Sequence, residues 1–182
     1  MIKGKNLKAK ELLEMLQENC KNFEYKTPIN LDTILECLKV KLNRVIQYNE
    51  VLGEIEIKDN IPIITINSAN HLFPERERFT IAHELGHLCR HIAPKNQKKF
   101  VDTENTMKRN GHWSLQEYEA NNFAARLLMP ADLIEQEGIK IAKELEKKGD
   151  IDIDEFIERM AQKFEVSKLA MRFRLKNLGI LN

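Results

Sequence analysis

The apolar residues of this chain change period twice, and nothing else in the sequence limits its fold so strongly. Leu7, Leu12, Leu13 and Leu16, and then Leu31, Ile34, Leu35 and Leu38, recur every three or four residues, as on the buried stripe of a helix. Between Arg44 and Asn67 the spacing shortens to two: Ile55 and Ile57, then Ile61 and Ile63, alternate on either side of Asp59-Asn60, the pattern of a hairpin. After Pro74 the helical period returns and holds through EYEANNFAARLLM, residues 131 to 147 and the last thirty residues. A single strand block set among helices predicts an α+β fold, mostly helical, with a small antiparallel sheet of about three strands. Pro62, which has no N–H to donate, predicts that the last of these strands begins at a sheet edge.

The helix after Pro74 is expected over 75–92, with Glu75 and Glu77 in its first turn and Pro94 as its stop. Lys95 to Ser114 is polar and without period and is expected to form a loop, and the helix that follows ends at Pro130. The final helices are separated at Glu165-Val166-Ser167 and end at Gly179, a natural C′ residue.

Lysine and arginine total 29 against 28 aspartate and glutamate, so no global field recruits nucleic acid or an anionic membrane. No segment has the length of a membrane span, and the first residues lack a secretory leader's apolar stretch, so a cytoplasmic protein without membrane partners is expected. Cys20, Cys37 and Cys89, odd in number and without CxxC spacing, are expected to be free thiols.

The stretch RFTIAHELGHLCRH carries the chemistry. On a helix, His83 and His87 lie about 40° apart around the axis and about 6 Å apart along it, so both imidazoles reach one ion. Glu84 is turned about 100° from His83, beside such an ion, where its carboxylate serves as general base and acid. Given five histidines in 182 residues, H-E-x-x-H arises by chance in roughly one or two such chains in a hundred.

A catalytic zinc site needs a third protein ligand. His91 is a poor candidate, since three histidines spread over two helical turns do not converge on one ion; it suits the helix C-terminus instead. Glu117 and Glu119 on the later helix are better. Glu117 shares its face with Asn121, Ala124 and Leu128, an inward face with small residues, whereas Glu119 shares its face with Phe123 and Arg126, so Glu117 is preferred. Asn121, one turn on, is placed to accept a hydrogen bond from a ligating histidine and so hold its tautomer. Tyr118 and His112 are the candidate donors to an oxyanion, though spacing selects neither.

RFTIAHELGHLCRH followed by EYEANNFAARLLMP resembles the ImmA/IrrE family of zinc metallopeptidases, in which HExxH is joined to a later E-x-x-A-N/D-x-F-A-x-x-L-L-x-P helix. More loosely the likeness extends to the strands before the motif and to the tail FEVSKLAMRFRLKNLGI, most of residues 27 to 180. The resemblance implies Zn2+ held by His83, His87 and Glu117, with Glu84 catalytic. It also implies a regulatory endopeptidase that cleaves a helix-turn-helix repressor and so releases genes of a mobile element or a stress response. The chain then divides into an N-terminal helix (1–26), a zincin-like metallopeptidase domain (27–149) and a helix-turn-helix-like pair (150–182) packed on it.

Two further expectations concern partners. The strand around Ile63 to Asn67, if it lies at an edge, aligns an extended substrate by strand addition. The tail holds Arg159, Lys163, Lys168, Arg172, Arg174 and Lys176 against Glu165, which raises a different function: a non-catalytic zinc-containing regulator whose basic helices bind DNA or a repressor.

Overall fold

The computed structural model describes residues 2, 4–47, 49–70, 73–95, 99–103, 115–147 and 149–181. Helix α1 (Ala9–Asn19) buries Leu12, Leu13 and Leu16, and α2 (Leu31–Leu38) starts at Asn30, whose side chain accepts from the Thr33 N–H. Strands β1 (Lys41–Val45), β2 (Val51–Lys58) and β3 (Ile61–Asn67) follow, then α3 (Pro74–His87). This helix runs on through a π-helical turn, Leu88–Ile92, into the short α4 (Ala93–Lys95). Strand β4 (Lys99–Thr103) completes the sheet; α5 (Leu115–Leu128), α6 (Ala131–Glu146), α7 (Ile153–Phe164) and α8 (Lys168–Asn177) complete the chain. The α+β, mostly helical class is as the periods predict.

The sheet departs from expectation in three ways. Its order is β1-β3-β2-β4, with β1 parallel to β3 and the other pairs antiparallel, so it is mixed. The fourth strand falls in the polar stretch expected to be a loop; main-chain pairing to β2 supplies what side-chain period does not show. Thirdly, β3 is interior. Pro62 pairs with Ile57 on β2, but the β1 ladder begins only at Ile63, so the missing N–H falls just before the bond it would break. Strand addition along β3 is thereby ruled out, since both its sides are taken. The hairpin between β2 and β3 is as read: Asp59 and Asn60 both have positive φ, 52° and 62°, as a type I′ turn requires.

One continuous apolar core joins Leu12 and Leu16 of α1, Ile55, Ile64 and Ile66 of the sheet, Leu85 of α3, Leu127 of α5 and Phe164 and Met171 of the last two helices. At α7 and α8 the junction is also polar: Arg174 donates to the Met129 carbonyl, and Arg78 of α3 reaches both Glu165 and the Ile29 carbonyl. Gly179 has φ 70° and caps α8.

Cys20 and Cys37 form a disulfide between the end of α1 and α2, their Cα atoms 6.0 Å apart, which corrects the expectation of three free thiols. The turn of the chain between α1 and α2 brings together cysteines that sequence spacing does not relate. Cys89 is free and buried, and burial pushes its thiol up to about 12.

Candidate metal centre

The site lies where α3 crosses α5, and small residues set how close the two helices come. A Cβ added at Gly86 would stand 3.1 Å from the Ala120 Cα and carbonyl oxygen and 3.2 Å from the Phe123 Cβ. Glycine at this crossing therefore brings the first turn of α5 against the histidines of α3.

His83, Glu84, His87 and Glu117 are all buried. The two Nε2 atoms of His83 and His87 are 2.9 Å apart, and Glu117 places Oε2 3.2 Å from the first and Oε1 3.5 Å from the second. Four tetrahedral ligands at zinc's usual bond lengths stand about 3.3 Å from one another, so these three separations bracket the spacing required. The ligand atoms of this trio all lie within 4.8 Å of one another, the only such His/Cys/Asp/Glu group among the described residues.

The remaining contacts decide which nitrogen of each ring carries the proton. His83 Nδ1 lies 3.0 Å from Asn121 Oδ1, which accepts, so the ring donates through Nδ1 and turns Nε2 toward the trio. His87 Nδ1 lies 3.0 Å from His91 Nδ1, and His91 Nε2 lies 2.9 Å from Glu119 Oε2. Burial lowers the pKa of His87 to about 4, so the ring is neutral near neutrality. Burial pushes Glu117 up, but the nearness of His83 and His87 outweighs this and lowers it to about 2, a carboxylate. Two imidazoles and one carboxylate, facing one another at contact distance, are the donor set of a divalent transition metal.

Glu84 lies on α3 beneath strand β2. A Cβ at Gly53 would be 2.8 Å from its Oε1 and 2.9 Å from Thr80 Cγ2. The β2–β4 pairing shifts register between Val51 and Gly53, and the bulge puts a side-chain-free residue directly over this carboxylate. Sequence reasoning passed over Gly53, although a glycine inside an alternating strand is itself the signal of a close approach.

The fates of the other candidates differ. Glu119 is turned away from the trio, with Oε1 3.1 Å from Arg90 and Oε2 bonded to His91. His91 lies in the π-helical turn Leu88–Ile92, buried between His87 and Glu119 and outside the trio. Tyr118 is exposed and lines a groove of about 1390 Å³ with Phe73, Phe79, Arg126, Leu169 and Phe173, and this groove reaches Asn121 but none of the three ligands. His112 lies outside the described residues.

A small sheet over a helix that presents two histidines and a glutamate, with a third ligand from the next helix, is the arrangement of a metallopeptidase. The chain belongs to the M78 peptidase family, since residues 38–176 match its IrrE N-terminal-like domain. The family resemblance drawn from the two motifs and this match agree. Comparison with curated proteins gives no match.

Proposed function

We propose that this chain is a zinc-dependent endopeptidase with a regulatory role, which cuts a cytoplasmic protein, a helix-turn-helix repressor being the substrate that the family resemblance suggests. The observation that carries the reading is the convergence of His83 Nε2, His87 Nε2 and the Glu117 carboxylate at separations of 2.9, 3.2 and 3.5 Å, the spacing that the ligands of one divalent ion require. His83, His87 and Glu117 would hold the zinc, which when bound polarises the scissile carbonyl and the attacking water. Glu84 takes the proton of that water and delivers it to the leaving amine. Asn121 holds the His83 ring, and Gly53 leaves the Glu84 carboxylate room to swing between the two tasks.

The groove beside Asn121 favours a polypeptide over a small amide. It is long, lined by exposed Phe73, Tyr118, Leu169 and Phe173, and has the scale of a segment of several residues. No described helix is long and apolar enough to cross a membrane, and we place the protein in the cytoplasm with its substrate.

The non-catalytic, DNA-binding reading finds less support. Arg159 pairs with Glu144, Lys163 with Glu137, Lys168 with Asp154 and Glu158, and Arg172 with Asp154, while Arg174 is spent on the Met129 carbonyl. Little of the tail's positive charge is left for phosphates.

The deciding experiment is metal content and peptide cleavage in the wild type beside His83→Ala, Glu117→Ala and Glu84→Gln. Expected are one zinc per chain, lost in the first two variants, and a Glu84→Gln protein that keeps its metal while cleavage falls by roughly 100-fold to 10,000-fold. A wild type that binds no zinc when zinc is supplied refutes the proposal.

A further inference from the structure

The chain His87–His91–Glu119 reaches from the metal centre to the partly exposed face of α5, and its direction is determined by chemistry. Glu119 is an acceptor only: Arg90 holds one of its oxygens at 3.1 Å as the partner of a carboxylate. Its Oε2 is 2.9 Å from His91 Nε2, so that nitrogen carries a proton. In a neutral His91 ring, Nδ1 is then a lone pair. It faces His87 Nδ1 at 3.0 Å, where two lone pairs would repel, so His87 Nδ1 carries the proton and donates. That leaves His87 Nε2 bare and aimed at His83 and Glu117.

We infer that His91 and Glu119 are positioning residues of the metal centre: Glu119 fixes the tautomer of His91, and His91 fixes the tautomer and ring orientation of His87. The inference rests on the zinc reading above and adds to it a role for two residues outside the ligand set.

The backbone is built around this chain. His91 follows His87 by four residues and so lies beside it on one face, within the π-helical turn Leu88–Ile92. The N-terminal segment braces that turn: the Leu7 N–H donates to the Cys89 carbonyl at 3.3 Å, the Gly4 N–H to the Ala93 carbonyl at 3.0 Å, and Asn6 Oδ1 accepts from Arg90 at 2.6 Å. Arg90 in turn holds the second oxygen of Glu119 at 3.1 Å. The two ligating histidines thus differ: His83 rests on a neutral amide, and His87 on an imidazole backed by a carboxylate.

The test uses the full chain and two readouts. Long-range 1H–15N spectra of the metal-free protein give the tautomers directly: Nδ1–H at His87 and Nε2–H at His91 are expected, and Nδ1–H at His91 would overturn the inference without touching the zinc reading. Zinc affinity by chelator competition is then compared in His91→Phe and His91→Asn. Phenylalanine fills the buried volume but offers His87 no acceptor, whereas asparagine keeps an oxygen near the Nδ1 position and leaves a gap. A positioning role predicts that His91→Phe weakens zinc binding roughly 10- to 100-fold and His91→Asn only a few-fold, while thermal stability falls in the opposite order. Equal zinc affinity in His91→Phe and wild type overturns the inference. If neither variant folds, the wild-type tautomers decide; if the wild type binds no zinc, the function proposal fails, and the metal-free spectra still decide the proton arrangement.

Discussion

Gly53→Ala tests whether strand β2 reserves space for the Glu84 carboxylate. The new methyl would stand 2.8 Å from Glu84 Oε1, 2.9 Å from Thr80 Cγ2 and 3.3 Å from Ile66 Cδ1, against an ordinary carbon–oxygen contact of about 3.4 Å. The carboxylate must therefore retreat by about half an ångström or more. All three atoms are ends of side chains, so the fold accommodates the methyl at a cost of about 1 kcal/mol, the lower end of overpacking, or a fall in Tm of roughly 2–4 °C for a chain of this size. Catalysis is less forgiving. A proton-transfer group displaced by that distance loses on the order of 100-fold in rate, whereas none of the three atoms nearest the methyl belongs to His83, His87 or Glu117. The assay is cleavage of a peptide library by zinc-loaded wild type, read by mass spectrometry, followed by kcat/KM on the best peptide for both proteins beside their zinc content. Expected is full zinc occupancy with roughly 100-fold lower kcat/KM. A Gly53→Ala enzyme within twofold of wild type refutes the argument that this glycine serves Glu84, and loss of zinc refutes the claim that its effect stops short of the ligands.

Gly86→Ala acts on backbone instead. Its methyl meets the Ala120 Cα and carbonyl oxygen at 3.1 Å, α5 must move outward, and a stability loss of about 1–3 kcal/mol with weaker zinc binding is expected by denaturation and chelator competition. The metal-free protein should weaken in acid. The folded pKa of His87, about 4, lies below the unfolded value near 6.5, so the unfolded state binds protons first, and stability falls with pH through that window by up to roughly 3 kcal/mol in urea titrations. Protons also compete with metal for His87, so zinc affinity should fall as the pH drops towards about 4. Unfolded without reductant, the protein should expose one reactive thiol, Cys89; Cys20→Ser with Cys37→Ser should cost about 3 kcal/mol, and three thiols in the untreated protein would overturn the pairing.

What the sequence determined by itself is local. The period of the leucines and isoleucines marks helices and strands because burial of one face is a property of neighbours along the chain. The Asp59-Asn60 turn follows from the residues that tolerate positive φ. His83, Glu84 and His87 were legible because one helix holds all three in a set relation. Even Glu117, on another helix, could be chosen over Glu119 from the small and apolar residues on its own face, and the structure brings it, not Glu119, to the histidines.

What only the tertiary structure decided involves contacts between segments that carry no mutual signal. The parallel pairing of β1 with β3 and the recruitment of Lys99–Thr103 as an edge strand depend on main-chain groups, which are alike in every residue. The Cys20–Cys37 pairing depends on how α1 meets α2. His91 looked like a helix-end residue because regular helical geometry carries it away from the ion. It is buried all the same, with one nitrogen on His87 and the far one on Glu119, in a π-helical turn that the N-terminal segment braces by hydrogen bonds. That bracing and the approach of α5 are contacts between distant segments, which spacing along one helix does not carry.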